Sequence, residues 1–216
     1  MSNKDIKEFK KYYQDKRVTD TYDEQREKSE YRKRKRELEL KYFLELLDKK
    51  DDEDVLELGC SSGFLTEKLG RVTAIDTSKN MLELTRKKNP LASTICADMF
   101  KLPFPKDSFD KVVTIRVWNH LKGEDLRKAL KRVQKVLRRG GLLVFDVEEK
   151  NILRKIVAVI YQKITGITGY KIYQYSFNEL YGILKDEGFF IIDFRYLNHR
   201  IGRQIIVKAW KPFKII

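Results

Sequence analysis

Val55-Leu56-Glu57-Leu58-Gly59-Cys60-Ser61-Ser62-Gly63 is the stretch on which the reading of the fold turns. A short strand-like run, Val55 to Leu58, passes straight into a loop with glycine at both ends, and Phe64 to Leu69 resumes as a helix. A buried strand, a tight glycine turn and a helix make the opening unit of an α/β sheet. Glycine lets the chain turn sharply and lets backbone approach a ligand closely. In such sheets the crevice at the carboxyl ends of the strands is where nucleotide-like ligands bind. Asp76 lies 17 residues after Gly59, at the end of the next strand. A carboxylate there can accept both ribose hydroxyl protons. Dehydrogenases have such an acid too, but their loop calls for three glycines, and only Gly59 and Gly63 stand here.

Downstream, the alternation continues. Val72 to Ile75 reads as a second strand, Asn80 to Lys88 as a helix that ends before Pro90, and Ser93 to Ala97 as a third strand. Leu102 to Pro105 is a loop, and Lys111 to Val117 a fourth strand. Leu126, Leu130, Val133 and Leu137 recur at helical spacing, and Arg138-Arg139-Gly140-Gly141 is expected to end that helix through a glycine cap. Leu142 to Val147 is a fifth strand. Asn151 to Thr165 has a helical stripe, and Gly166 to Tyr175 reads as a loop. Ser176 with Glu179 predicts a capping box for a helix to Glu187. Phe190 to Tyr196 and Gln204 to Trp210, seven residues apart, predict a closing antiparallel hairpin. The expected fold is a Rossmann-like, doubly wound, seven-stranded and mostly parallel sheet with an antiparallel last strand.

Upstream, residues 1–50 hold 16 basic and 12 acidic residues. Leu38, Tyr42 and Leu46 recur every four residues beside Phe43 and Leu47, which predicts a helix. The basic run Tyr31 to Arg36 precedes that stripe; it reads as a solvated helix face or as a phosphate-contact patch. The expected organisation is a helical arm over 1–50 and a sheet domain over 51–216, with a helical insertion at about 150–175.

The 216 residues carry a net charge of +14, which favours anionic partners without choosing among them. Residues 101–216 alone carry a net of +13. Two cysteines build no disulfide framework, and with two histidines they make a poor metal inventory, so no metal is expected. The polar first twenty residues predict no signal peptide. No apolar run approaches the roughly 20 residues of a membrane span. The expectation is a soluble cytoplasmic protein, monomeric or homodimeric.

Several of these segments together resemble the class I S-adenosylmethionine-dependent methyltransferases, in particular their compact subgroup. Val55 to Leu69 resembles the family's first motif, and Asp76 stands where it has a ribose-binding acid. Ala97-Asp98-Met99 is similar to its adenine-contacting segment. Leu102 to Asp110, Val112 to Leu121 and Val136 to Val144 resemble the loop before strand four, that strand with its following turn, and the approach to strand five. Departures are Ser61 in place of the middle glycine, Arg139 in place of proline, and Asn119 in place of the first histidine of a His-His-Leu run.

The resemblance implies S-adenosylmethionine as cofactor. It implies cofactor contacts from Glu57, Gly59, Cys60, Ser61, Gly63, Asp76, Thr77, Met81, Asp98, Met99 and Arg116. The implied reaction is displacement at a sulfonium methyl, in which the protein supplies position and electrostatics. His120 is the candidate base, since its ordinary pKa suits proton transfer near neutrality; it equally fits a brace for the turn. Asn119 is a candidate for orienting the acceptor. Cys60 reads as a small apolar residue in a tight turn and Cys96 as core. Asp146 faces the site, or else is solvated or caps a loop.

The resemblance also implies that the arm covers the site, with Tyr12, Tyr13 and Tyr22 as its aromatics and Tyr22 the expected contact. Ile160, Tyr161 and Tyr170 of the insertion are candidates to line an acceptor pocket, or to form a covering helix. A small organic acceptor is the favoured substrate. RNA, read by the basic surface, and a binding module without catalysis are the alternatives.

Overall fold

The structure, a computed structural model, describes residues 13–151, 172–199 and 202–213. Eight strands form one sheet: β1 (Val55–Leu58), β2 (Thr73–Asp76), β3 (Ser93–Cys96), β4 (Phe109–Thr114), β5 (Leu137–Glu149), β6 (Gln174–Tyr175), β7 (Phe190–His199) and β8 (Gly202–Trp210). Their order is β3-β2-β1-β4-β5-β8-β7, with β6 beside β5 off this path. β1 to β5 pair in parallel, and β8 runs antiparallel to both β5 and β7. This is the Rossmann-like mixed sheet expected. The extra strand, β6, lies in the stretch read as a loop. A two-residue strand is too short to leave a periodic signature.

Seven α-helices are described. α1 (Lys16–Asp20), α2 (Tyr22–Arg26) and α3 (Glu30–Leu47) precede the sheet. α4 (Thr66–Leu69), α5 (Lys79–Lys88) and α6 (Gly123–Val136) connect its parallel strands, and α7 (Phe177–Asp186) precedes β7. β1 is buried at all four positions because helices cover both faces of the central sheet. On one face Leu126, Leu130 and Val133 of α6 and Leu180 and Leu184 of α7 pack on Leu56, Val112 and Phe145. On the other, Phe43, Leu46 and Leu47 of α3 pack on Val113, Val144 and Ile206. α7 starts on the anticipated capping box, with both the Ser176 and Glu179 side chains engaged.

Three local readings need correction. α6 ends at Val136, and Leu137 is already extended, so Arg138 to Gly141 belong to β5 rather than to a helix cap. The glycines answer a different demand. A Cβ on Gly141 would meet the Arg138 and Asp110 carbonyl oxygens at 2.8 Å, and Gly140 sits at φ +80°. Second, Cys96 is exposed, not core, because β3 is the edge strand. Third, the inward stripe of α3 is offset from the leucine repeat. Leu38 is exposed, while Arg36, Glu39, Phe43, Leu46 and Leu47 are buried. The helix turns two charges inward where its apolar neighbours predict a leucine.

The core role of α3 has a measurable consequence. Phe43 is fully buried, so Phe43→Ala is expected to cost about 3–5 kcal/mol in urea unfolding. A cost near zero would mean that α3 is not part of the cooperative unit.

Candidate active site

The strand order reverses between β1 and β4, which opens a crevice at their carboxyl ends. Four strand ends meet there. Beyond β1, Gly59, Cys60, Ser61 and Ser62 line a cavity. From β2 come Ile75, Asp76 and Thr77, and from α5 Met81. Beyond β3 the wall is Ala97, Asp98, Met99 and Phe100; beyond β4 it is Ile115, Arg116, Val117, His120 and Leu121. Tyr13, Tyr22, Arg26 and Arg36 close the cavity from the arm, with Phe64 opposite.

The loop holds its shape through left-handed backbone. Gly59 and Gly63 have φ of +68° and +82°, and a Cβ on Gly59 would meet Val117 Cγ2 at 2.6 Å. Ser61, between them, also stands at φ +52°. Serine tolerates that conformation at a cost of about 1–2 kcal/mol. Its N–H donates to Asp76 Oδ2 at 2.9 Å, and its carbonyl accepts from the Thr85 hydroxyl at 2.7 Å. The other Asp76 oxygen accepts from the Ser78 N–H at 2.8 Å. Backbone donors thus hold both carboxylate oxygens in place at the cavity wall. Burial pushes the Asp76 pKa up, against those backbone hydrogen bonds.

The residues fit the cofactor that the sequence implies. The Asp76 carboxylate, fixed at the cavity wall, suits a vicinal diol. Ile75, Met81, Ala97, Met99 and Phe100 offer an apolar slot for a planar base, with Asp98 at its edge. The Asp98 side chain also accepts from the Phe100 N–H at 3.0 Å and so shapes that segment.

Two implied contacts sit elsewhere. Glu57 lies fully buried beneath the loop, outside the cavity wall, and accepts from the Thr66 hydroxyl at 2.6 Å. Burial raises its pKa to about 8, with the nearby Asp76 charge adding to the shift. Gly63 lies behind the loop, where a Cβ would meet Thr85 Cα at 3.0 Å. Cys60 is a buried small side chain whose thiol pKa burial drives upward, which leaves it a packing residue.

The arm is fastened to the loop. The Ser62 hydroxyl donates to Asp23 Oδ1 at 2.7 Å, and Lys88 Nζ to Oδ2 at 2.6 Å. Burial of Asp23 opposes its charge, yet these donors hold its pKa below the ordinary value. The Ser78 hydroxyl donates to the Tyr13 carbonyl at 2.6 Å. Arg36 stacks 4.0 Å over Phe64 and pairs with Glu27 at 3.1 Å. Tyr12 of the expected aromatics lies outside the described residues, as do Ile160, Tyr161 and Tyr170.

Past β4 a second cavity adjoins the first. Asn119, Glu148 and Gln204 line it from the sheet side, and Arg32 and Lys35 from α3. Tyr13, Arg26, Arg36, Arg116 and His120 line both. Thus His120 stands at the junction, and Asn119 faces only the second cavity.

Arg116 is the hinge between them. It adopts φ +58°, uncommon for so large a residue. Its backbone N–H donates to Asp146 Oδ1 at 2.6 Å, and its guanidinium grips the fully buried Glu39 through two nitrogens. The Gln204 amide donates to both Glu39 and Asp146 at 2.7 Å. Asp146 is therefore not solvated; it caps the backbone of the turn after β4 and lines neither cavity. Burial and the Glu39 charge raise its pKa to about 7.

Sequence reading missed Glu39, Gln204, Asp23 and the inward Arg36. The signal for two of them was present, since Arg36, Glu39, Phe43 and Leu46 fall on one helical face.

Residues 56–145 match the family model described as "Methyltransferase domain". An uncharacterized protein of Methanocaldococcus jannaschii is 31% identical over 164 residues, which is 66% of this chain and 64% of that protein. An uncharacterized methyltransferase of Bacillus licheniformis is 39% identical over 103 residues, 45% of this chain and 48% of that protein. The chain thus spans between about half and under two thirds of these two relatives. The structure also resembles magnesium protoporphyrin IX methyltransferase of Synechocystis PCC 6803 with bound S-adenosylmethionine. The TM-score is 0.72 at 17% identity, over 96% of this chain and 97% of that one.

The buried acid under the loop gives a pH signature. Glu57 has a folded pKa of about 8 against an ordinary 4.5, so the folded state holds the extra proton between those values. Stability is full below the ordinary pKa and falls as pH rises towards 8. Glu57→Gln is expected to flatten that fall in urea titrations between pH 5 and 8. An unchanged slope would contradict the buried acid.

Proposed function

We propose that the chain, whose residues 56–145 match the methyltransferase-domain family model, transfers a methyl group from S-adenosylmethionine to a small organic acceptor. The observation that carries this reading is the pair of adjoining cavities, one fitting the cofactor and one beyond Arg116, both roofed by the arm. A cofactor cavity with a second cavity beside it, sharing part of its wall, suits a small acceptor seated next to the cofactor.

When bound, S-adenosylmethionine supplies an electrophilic methyl on a sulfonium centre. The protein's share is position and water exclusion. Asp76 would accept from the two ribose hydroxyls. Met99 would pack beside the base, whose amino group Asp98 would meet. Gly59 and Ser61 would let backbone approach the amino-acid end, with Arg116 near it. Glu57 acts through the loop rather than on the ligand: it fixes Thr66 below Gly63. Cys60, Thr77 and Met81 contribute shape.

The arm serves as the lid. Tyr13 and Tyr22 meet edge to face with ring centroids 5.9 Å apart, and Arg26 stacks on Tyr22 at 4.4 Å. Asp23 latches this layer to Ser62 of the ligand loop, so closure of the lid and ordering of the loop are coupled. His120, at the junction, takes the acceptor's proton, and Asn119 orients the acceptor from the second cavity.

Calorimetry with S-adenosylhomocysteine tests the cofactor half. Wild-type protein is expected to bind at one site. Asp76→Asn loses hydrogen bonds to a charged group, each about 1.5–3 kcal/mol, and so weakens binding about 100-fold. No heat from the wild type would overturn the methyltransferase reading.

The role of His120 separates by readout. His120→Ala is expected to leave S-adenosylhomocysteine affinity nearly unchanged while turnover falls roughly 100- to 10,000-fold. Loss of stability with turnover per folded molecule intact would make it a brace.

A further inference from the structure

We infer that Arg36 of the arm receives the carboxylate at the amino-acid end of the cofactor. The inference rests on S-adenosylmethionine as the occupant of the first cavity, and it deepens that reading by assigning the cofactor's anionic group to one side chain.

The unmet donors of Arg36 carry the argument. The residue is 4% exposed, yet its Nε and Nη1 are buried without a hydrogen-bond partner among the described residues. The two acids beside it do not meet that demand. Glu27 lies 3.1 Å from Nη1 and Asp23 3.8 Å from Nη2, and neither contact is a hydrogen bond. Asp23 is engaged by the Ser62 hydroxyl and by Lys88, and Glu27 is exposed. A buried guanidinium donor left unmet is costly, so the position calls for an acceptor. Burial and the positive charges of Arg116 and Arg26 also hold the Arg36 pKa below the ordinary value, against Glu27 and Asp23. A carboxylate beside Arg36 offsets that repulsion.

The place of Arg36 says which acceptor. It lines the first cavity from α3 and stacks 4.0 Å over Phe64, the residue that follows Gly63 of the glycine loop. The base is assigned to Asp98 and Met99 and the ribose to Asp76. That leaves the amino-acid end for the side bounded by the glycine loop and Phe64. This end of the cofactor carries one carboxylate. Two other arginines, Arg26 and Arg116, line the same cavity. Arg116 lies 5.9 Å from the Phe64 ring, but Glu39 already grips its guanidinium through two nitrogens. Arg26 stacks on Tyr22. Of the three, Arg36 is the one with buried donors unmet. The arm then completes the cofactor site as well as covering it. The sheet supplies the base and ribose contacts, and α3 supplies the contact to the anion.

Calorimetry with two ligands tests the contact. S-adenosylhomocysteine is compared with its decarboxylated analogue, which keeps the base, the ribose and the amino group and lacks only the carboxylate. Wild-type protein is expected to bind S-adenosylhomocysteine about 10- to 100-fold more tightly than the analogue, the worth of a charge-assisted hydrogen bond. Arg36→Gln should weaken S-adenosylhomocysteine by that same factor and change the analogue less than about twofold, so that the variant no longer tells the two ligands apart. Arg36→Lys keeps the charge without the guanidinium, and its preference for S-adenosylhomocysteine should fall between those of the wild type and the glutamine variant. If Arg36→Gln does not fold, as read by thermal unfolding, the lysine variant carries the comparison. Equal affinity of the wild type for both ligands overturns the contact. So does equal weakening of both ligands by the variants, which would make Arg36 a prop for the arm. In either case the cofactor reading stands. A wild type that binds neither ligand overturns the cofactor reading, and the contact with it.

Discussion

The ion pair between Glu39 and Arg116 is the constraint around which the site is arranged. Glu39 is fully buried in α3, and Arg116 stands at the end of β4 with its backbone in the left-handed region. A buried carboxylate without a partner is costly, and breaking such a pair costs about 3–5 kcal/mol. Arg116 therefore holds an unfavourable backbone conformation because Glu39 and Asp146 claim its side chain and its N–H. Gln204 then ties the two acids together from β8. One network joins the arm, two parallel strands and the antiparallel strand, and through Arg116 it reaches both cavities.

That network explains why the arm is more than a cover. Below Glu39, Phe43, Leu46 and Leu47 anchor α3 in the core. Above it, Arg36, Lys35 and Arg32 face the cavities on the same helical side. A single helix thus runs from apolar packing through a buried charge to a cationic edge that lines the cavities. Asp23 repeats the logic on a smaller scale, since it joins Ser62 of the glycine loop to Lys88 of α5. Ligand loop, arm and sheet are coupled through hydrogen bonds whose donors and acceptors come from segments distant in sequence.

Much of this was legible in the sequence, for physical reasons. Val55 to Gly63 could only be a buried strand ending in a tight turn, and Asp76 had to close the next strand. Ser176 with Glu179 announced its helix start through local capping chemistry. Where reading failed, the cause was tertiary. Leu38 advertised an inward stripe, but Arg36 and Glu39 took that face because Phe64 and Arg116 were there to receive them. Gly140-Gly141 looked like a helix cap, but a close approach of the Asp110 carbonyl dictates the glycine. Glu57 looked like a ligand contact but is sealed beneath the loop. Gln204, far along the chain, gave no local signal at all.

Hydrogen–deuterium exchange with and without S-adenosylhomocysteine tests most directly whether arm and glycine loop form one cofactor site. The ligand is expected to slow exchange in residues 55–64 and in residues 13–36 together, because Asp23 and Tyr13 link the two. Protection confined to 55–64, with the arm unchanged, would contradict it.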